Sequence, residues 1–266
     1  MAMSPRAPKR LAWIGACLGL AIALLAFAPA RWLADAVTRA TASQVQLVNA
    51  RGTVWSGSAD LMFTGGEGSR DRSALPQGLQ WRLGLGLAGA WPALALNLRA
   101  PCCTPDPLTL HLRPHWGGLE WHLGATRSAW PADLLAGLGT PWNTLGIDGL
   151  LRVETQGLAL RTDRGRLNLN GTLVIDAVDL GSRLARVRPL GSYRSTLRST
   201  ADGNSATLTL ETLRGDLRLQ GQGEWVGGRL RFNGFGEAAP GAEAALTNLL
   251  NIMGRRQGPR SVFAIG

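Results

Sequence analysis

Lysine is nearly absent from this sequence, although its net charge is strongly positive. Lys9 is the only lysine among 28 basic residues, and 18 acidic residues leave a net charge of +10. A surface that binds DNA through its phosphates usually clusters its basic residues and mixes lysine with arginine. Here the arginines lie singly along strand-like segments. We therefore expect no nucleic-acid partner.

Motifs of enzyme chemistry are also missing. The sequence contains no GxSxG elbow, no Walker loop and no HExxH zinc motif. GLGLAG (84–89) follows a strand-like segment, but no apolar-periodic helix follows it, as a dinucleotide site requires. Asp176 and Asp179 are close in sequence; a calcium or catalytic pair is one interpretation, and a strand end with a turn is the simpler one. We expect neither catalysis nor a cofactor.

Cysteine is scarce, with three residues in the chain. Cys17 falls in an apolar run, whereas Cys102 and Cys103 are adjacent in the proline-rich PCCTPDP. Neighbouring cysteines can close only a strained eight-membered ring, so pairing between chains is an alternative. Three histidines follow along the chain: His111, His115 and His122. Adjacent cysteines do not have the CxxC spacing of a zinc site, and we expect no metal.

One long apolar run stands near the N-terminus. Residues 11–30, LAWIGACLGLAIALLAFAPA, carry no charge, and as a helix they span about 30 Å, the thickness of a bilayer core. The positive charges of Arg6, Lys9 and Arg10 before this run place the N-terminus in the cytoplasm. A cleaved signal peptide is the alternative interpretation: Pro29 disfavours a cut after Ala26-Phe27-Ala28, and a cut after Ala30 is the other site.

This run divides the chain into four predicted segments. They are a basic cytoplasmic segment (1–10), a transmembrane anchor (11–30), a linker (31–43) and a periplasmic β-rich domain (44–266). We expect a single-pass protein of a bacterial inner membrane.

Alternation of apolar and polar residues is typical of antiparallel strands with one wet face. In LQWRLGLGL the apolar residues fall on one side: Leu79, Trp81, Leu83, Leu85 and Leu87. GRLNLNGTLVID (165–176) and GDLRLQGQGEWV (215–226) repeat the pattern. Gly227-Gly228 and Asp202-Gly203 have the composition of tight hairpin turns. We predict a mainly β fold, a long bent or rolled antiparallel sheet of about a dozen strands.

Two short helices interrupt the strand pattern. SAWPADLLAGLG has Pro131 at a helix start and Gly139 at its end. In PGAEAALTNLLNIMG an apolar stripe repeats with helical period, and Gly254 stands where a capping glycine belongs. Arg255 and Arg256 then face the negative end of the helix dipole. We expect RSVFAIG to be the last strand, so that the tail completes the fold.

The order of several motifs resembles protein N of the type II secretion system. The motifs are APARWLADAV, ARGTVWSGSADL with Trp55 and Gly57, LPQGLQWRL, WPADLLAGLGTPWNTL, VRPLGSYR, LRLQGQGEWVGGRLRFNG and LLNIMGRRQGPRSVFAIG. VRPLGSYR contributes Pro189, Leu190, Gly191 and Tyr193, and the last motif contributes Gly254, Arg255 and Arg256. These nine positions are candidates for family-motif or partner-contact residues. Tyr193 has a second interpretation, as a strand start that bonds to a loop.

The resemblance implies an accessory, inner-membrane-anchored component of a machine that exports folded proteins across the outer membrane. It implies contacts with the secretin or with platform subunits of that machine, and it attributes no catalytic residue to the chain. A second hypothesis comes from the residues alone. A rolled sheet with a continuous aliphatic face could hold acyl chains, as a periplasmic lipid or hydrophobic-ligand binding protein does.

Overall fold

The computed structural model describes residues 7–88, 91–163, 166–200, 203, 205–226 and 229–266. Within these ranges the chain is mainly β, as the alternation predicts, with 18 strands and few helices. The helices are α1 (Ala7–Ala26), α2 (Ala30–Ala40), a 3₁₀ helix (Ala132–Leu138), α3 (Trp142–Leu145) and α4 (Glu243–Met253). Arg6, Asp202 and the predicted Gly227-Gly228 turn lie outside the described residues.

The strands follow one another with short connections. They are β1 (Val45–Gly52), β2 (Ser56–Thr64), β3 (Arg72–Ala74), β4 (Leu79–Ala88), β5 (Trp91–Arg99), β6 (Leu108–His115), β7 (Gly118–Leu123), β8 (Thr126–Pro131), β9 (Ile147–Thr155), β10 (Leu158–Asp163), β11 (Arg166–Asn170), β12 (Thr172–Ser182), β13 (Gly191–Ser199), β14 (Ser205–Gly215), β15 (Leu217–Val226), β16 (Arg229–Ala238), β17 (Arg255–Gln257) and β18 (Arg260–Ile265).

The prediction of one long sheet is wrong, because the strands form two antiparallel sheets. Sheet 1 has the order β1-β2-β4-β5-β6-β7-β10-β11, with β3 beside β2. Sheet 2 has the order β17-β18-β16-β15-β14-β13-β12-β9-β8. The chain leaves sheet 1 after β7, builds two strands of sheet 2, returns for β10 and β11, and leaves again at β12.

Glycines stand where the chain changes sheets. Gly124 follows β7, Gly157 precedes β10 with φ 74°, and Gly171 precedes β12 with φ 116°. A Cβ on Gly171 would overlap the carbonyl oxygen of Gly157, so the two backbones pass in contact. Glycine adopts positive φ without steric cost and allows this approach. The alternation of apolar and polar residues is regular before and after these glycines, so the sequence does not show where the chain changes sheets.

The apolar N-terminal run does not form one continuous helix. Helix α1 ends at Ala26 and α2 begins at Ala30, so most of the predicted linker is helical. Pro29 separates the two helices because it lacks an N–H and drives the preceding residue toward extended backbone. Among the described residues, no helix combines the length and the apolar character that a bilayer crossing needs. The membrane anchor therefore stays a prediction.

In the described part of the chain, three clusters of buried side chains hold the sheets and helices together. The first joins α4 to sheet 2, the second lies under the 3₁₀ helix, and the third lies between α2 and sheet 1. In the first, Leu246 is 0% exposed and Leu250 is 2% exposed. In the third, Trp81 packs with Ala30 and Ala59. The helical stripe in LLNIM therefore faces the core, as predicted.

The two predicted helical segments are confirmed. The 3₁₀ helix follows Pro131 and stops before Gly139, whose φ is 82°. Its Leu134 is buried against Leu61 of β2 and against Leu75, which follows β3. Helix α4 follows Pro240, and β18 is the last strand, as expected from the tail.

Candidate partner-binding surfaces

The last strands form an exposed end of sheet 2. Strand β18 pairs with β16 on one side and with β17 on the other, so β17 is the end strand. All three residues of β17, Arg255–Gln257, are exposed, and Ile252 of the neighbouring α4 is 55% exposed. We call Ile252 and β17 the C-terminal edge. An end strand presents unpaired N–H and C=O groups to a partner.

Gly254 and the two arginines do not cap α4 in the predicted way. Gly254 has φ 178°, which is extended backbone and not the left-handed conformation of a capping glycine. Its lack of a side chain serves a close approach, because a Cβ would overlap the carbonyl of Val262 in β18. Arg255 and Arg256 continue as strand, and Arg256 donates to the carbonyl of Pro259 at 3.4 Å.

Positive charge at the C-terminal edge is not neutralised by the protein itself. Within the described residues, neither Arg255 nor Arg256 takes part in an ion pair. Arg260 in β18 differs, since its Nε lies 2.8 Å from a carboxylate oxygen of Glu237 and its guanidinium covers the ring of Phe235 at 4.3 Å. The C-terminal edge therefore offers two guanidinium groups that have no carboxylate partner among the described residues, which suits an acidic partner.

Trp55 and Gly57 lie where α1 meets sheet 1. The indole Nε1 of Trp55 donates to the carbonyl of Leu25 at 2.8 Å, and the N–H of Val54 donates to the carbonyl of Ala28 at 2.8 Å. The β1–β2 turn is thus bonded to the end of α1. The buried ring of Trp81 lies so close to Gly57 that a Cβ on residue 57 would overlap it.

The VRPLGSYR segment forms a corner of sheet 2. Leu190 is buried, and its N–H donates to the carbonyl of Leu180 at 2.7 Å while its own carbonyl accepts from Leu217 at 3.0 Å. Gly191 packs against Gly215 without space for a side chain on either. Pro189 precedes this turn and is exposed. These contacts join the ends of β12, β13 and β15.

Tyr193 lies inside this corner. Its side chain is 4% exposed, and its hydroxyl donates to the carbonyl of Leu217 at 3.0 Å. Burial raises the pKa of the Tyr193 phenol well above its ordinary value, and the negative charge of Asp216 acts in the same direction. The residue bonds a loop at a sheet corner and shares a core cluster with Leu246 of α4.

Cys102 and Cys103 form a disulfide with each other. Of the alternatives left open by the sequence, the structure therefore has the ring between neighbours. Cys103 packs in the cluster under the 3₁₀ helix, and its carbonyl accepts from the N–H of Ala129 in β8 at 2.8 Å. The loop lines a cleft of about 540 Å³ against β8 and β9. Asp176 in the cleft has its pKa lowered by the hydrogen bond from Arg194.

The histidines do not converge with the cysteines. His111 pairs with His122 across β6 and β7, and the His122 ring lies 2.9 Å from a carboxylate oxygen of Glu120. His115 bonds instead to the carbonyl of Thr162 at 3.1 Å. In the described part of the chain, no group of three or more His, Cys, Asp or Glu side chains is placed to hold a metal ion.

An aliphatic face crosses sheet 1 in register. One row is Leu83, Leu96, Leu110, Leu123 and Leu158; the next is Leu85, Leu94, Leu112, Trp121, Leu160 and Leu169. Most of these side chains are half-buried, whereas Leu85 is 92% exposed and Leu87 is 67% exposed. Helix α2 covers the part of this face near Trp81.

The sequence model of the type II secretion system protein N family matches residues 43–263. The match covers most of the chain and includes all nine candidate positions. The chain belongs to the protein N family of the type II secretion system. No curated protein and no solved structure shows a significant match. The family membership makes this chain a component of a type II secretion system.

The protein N motif residues fall at three places. Trp55 and Gly57 lie at the junction of α1 with sheet 1; the VRPLGSYR corner and the C-terminal edge both belong to sheet 2. The corner and the tail meet through the core cluster that contains Leu190, Tyr193 and Leu246. The sequence did not indicate the open cleft between β1, β2, β4 and β5, because its arginines lie on three separate segments.

Proposed function

We propose that this chain is an accessory component of the type II secretion machine, anchored in the inner membrane with its N-terminus in the cytoplasm. The observation that carries the proposal is the family match over residues 43–263. The uncharged run from Leu11 to Ala30, preceded by basic residues, supports the anchor and its orientation. The β-rich remainder then lies in the periplasm, where it supports export through contacts with other components. This role needs no catalytic step.

The C-terminal edge is the surface we propose for these contacts. Its backbone groups can pair with an added strand, and Arg255 and Arg256 favour an acidic segment on the incoming chain. Exposed Ile252 adds an apolar contact beside them. The partners proposed are the periplasmic domains of the secretin and the inner-membrane platform subunits.

A clean deletion tests the role in export. Exported enzymes are assayed in the medium and in the periplasm, and secretin assembly is followed in parallel. We expect the enzymes to accumulate in the periplasm, and restoration by the intact chain. Unchanged export together with unchanged secretin assembly contradicts the proposed function.

Charge reversal tests the surface. Arg255→Glu with Arg256→Glu is expected to abolish co-purification with the secretin's periplasmic domains and to lower export. Arg229→Glu with Arg231→Glu changes the same charge on exposed positions of β16, and is the matched control. Thermal unfolding of both variants checks that the sheet is intact. Retained capture by the first variant excludes the C-terminal edge as the contact.

The aliphatic face of sheet 1 favours a second candidate function. Two registered rows of leucines could line a groove for acyl chains, as in a periplasmic lipid-binding protein. Native mass spectrometry and solvent extraction of the purified protein test this. A stoichiometric lipid supports the groove, and absence of any co-purifying lipid removes it.

A further inference from the structure

The end of sheet 1 next to α1 carries exposed apolar side chains and a cleft lined by arginine. We propose that this end rests on the surface of the membrane, with Leu85, Leu87 and Trp116 at the lipid interface and Arg51 and Arg82 on the phosphates of anionic phospholipids. This inference rests on the proposed anchoring of α1.

Hydrogen bonds fix the position of α1 relative to the sheet. The carbonyls of Leu25 and Ala28 accept from Trp55 and Val54 in the β1–β2 turn, and Pro29 bridges to Thr53. The last turn of an apolar helix is thus attached to one end of sheet 1. A membrane that contains α1 must have its surface near this turn.

The β4–β5 hairpin extends beyond the attachment point. Arg82 in β4 pairs with Ser56, the first residue of β2, and the pairing of β4 with β5 continues from there to Ala88. Six further residues at a rise of about 3.3 Å carry the hairpin roughly 20 Å past the end of β2. Leu85 and Leu87 lie on this extension, 92% and 67% exposed.

The β6–β7 turn lies at the same end of the sheet. Leu94 pairs with Leu112, and β6 then runs toward the tip of the β4–β5 hairpin before it turns at Trp116. Trp116 is 101% exposed. Tryptophan is enriched at membrane interfaces, because its ring is apolar and its N–H can bond to water or headgroups. Two neighbouring hairpins therefore present large apolar groups on the α1 side.

The arginine cleft lies on the opposite face of the same end. It has a volume of about 720 Å³, and its lining includes Arg51, Arg82 and Arg99 but, among the described residues, no acidic side chain. Arg51, Ser58, Gln80 and Arg99 form one cross-strand row, and Arg82 lies two residues further along β4 than Gln80, on the same face. Within the described chain none of the three arginines forms an ion pair. Their guanidinium groups can bind phosphate oxygens in bidentate fashion.

The depth of these groups matches the chemistry of a bilayer surface. Arg51 and Arg82 flank the β1–β2 turn, at the level where α1 ends. This is the headgroup level if α1 lies in the hydrocarbon core, and the two hairpins then run obliquely along the bilayer surface, because an upright sheet would carry their tips about 20 Å below the phosphates. The negative surface charge of anionic lipids raises the membrane-binding constant about fivefold for each arginine near the surface. The apolar tips and the arginine cleft then act together on one membrane.

Lipid quenching of single fluorophores tests the contact in the full chain. The chain carries Cys17→Ser and one new cysteine at Leu85, Trp116, Phe27 or Leu213, and is reconstituted in nanodiscs with brominated lipids under non-reducing conditions. Phe27 reports on the anchor, and Leu213 in sheet 2, 47% exposed, is the matched distant control. We expect quenching at positions 27, 85 and 116 and none at 213.

The other outcomes separate the alternatives. Quenching at 27 alone overturns the surface contact and leaves the anchor and the secretion role standing; no quenching at 27 removes the anchor as well. Quenching at 85 without 116 also overturns the proposal and favours lipid in the aliphatic groove. The ratio of quenched to unquenched probe at position 116 should rise with the phosphatidylglycerol content of the nanodisc. Arg82→Gln should lower this ratio about fivefold, whereas the control Arg198→Gln on sheet 2 should leave it unchanged. An unchanged ratio in Arg82→Gln overturns the phosphate contact.

Discussion

The hydroxyl of Tyr193 donates to the backbone carbonyl of Leu217 at 3.0 Å, inside the corner where β13 passes the start of β15. The tyrosine is 4% exposed and the leucine 3% exposed, so water does not compete for this bond. The same corner packs on α4, which leads to the C-terminal edge. Order at the proposed contact surface therefore depends on a buried bond far along the chain.

Tyr193→Phe should lower the free energy of unfolding by about 1–3 kcal/mol, because the buried carbonyl of Leu217 loses its partner. The measurement is urea unfolding followed by tryptophan fluorescence. The ring packing is retained in this variant, so the change isolates the hydrogen bond. An unchanged midpoint contradicts a structural role for the hydroxyl.

Alkaline pH should destabilise the protein through the same residue. The raised pKa of Tyr193 keeps its phenol protonated in the folded chain, whereas an unfolded chain releases the proton above its ordinary pKa of 10.0. The unfolded state then binds fewer protons, so stability falls as pH rises above that value, by at most about 1.4 kcal/mol per pH unit. Tyr193 is the only tyrosine, and ultraviolet absorption should show no phenolate in the folded protein at pH 11. Phenolate absorption there without loss of structure contradicts the burial.

Gly57→Ala should destabilise sheet 1 by about 1–3 kcal/mol, because the new methyl group meets the ring of Trp81 and the carbonyl of Arg51. Gly84→Ala in β4 is the matched control, since nothing lies within 4 Å of its added Cβ. Thermal unfolding of the two variants should differ clearly. Equal unfolding temperatures for the two variants would show that the site between Gly57 and Trp81 accommodates a methyl group.

Removal of Ser261 to Gly266 should unfold the C-terminal part of sheet 2. The cut deletes all of β18 except Arg260, leaves β17 without its partner strand and exposes one side of β16. Ser261 is 0% exposed and the ring of Phe263 stacks on Phe232 at 6.1 Å, so packing is lost as well. Ile265→Ala, at a residue that is 57% exposed, is the control and should change stability by less than about 0.5 kcal/mol. A truncated chain with an unchanged unfolding temperature contradicts this structural role of the tail.

Local elements were predictable from the sequence, and their assembly was not. The alternation in LQWRLGLGL gave the strand β4 and its apolar face, and the stripe ending at Met253 gave α4. Each of these patterns lies within a single continuous segment of the sequence. The division into two sheets is set by pairing between distant strands, and at the crossing Gly157 and Gly171 come into contact, which no local pattern encodes.

The candidate surfaces show the same limit. Gly254 looked like a helix cap because glycine often ends helices, yet its close contact is with Val262 in the returning strand. Arg51, Arg82 and Arg99 are separated by long stretches of chain and meet only through strand pairing. The family motifs included Tyr193 as a candidate contact residue, but its burial shows that its side chain belongs to the core.

The exchange of strands at the glycine crossing has a consequence for synthesis. Strands β8 and β9 are made before β10 and β11, but they belong to the other sheet. Sheet 1 is thus incomplete until the ribosome has synthesised residue 170. By then β8 and β9 have been made, but β12, the next strand of sheet 2, has not. Because pairing between distant segments is slow, each half of the chain must stay unaggregated while the other arrives. No single cut in the gene would give two products that each hold the full set of strands of one sheet.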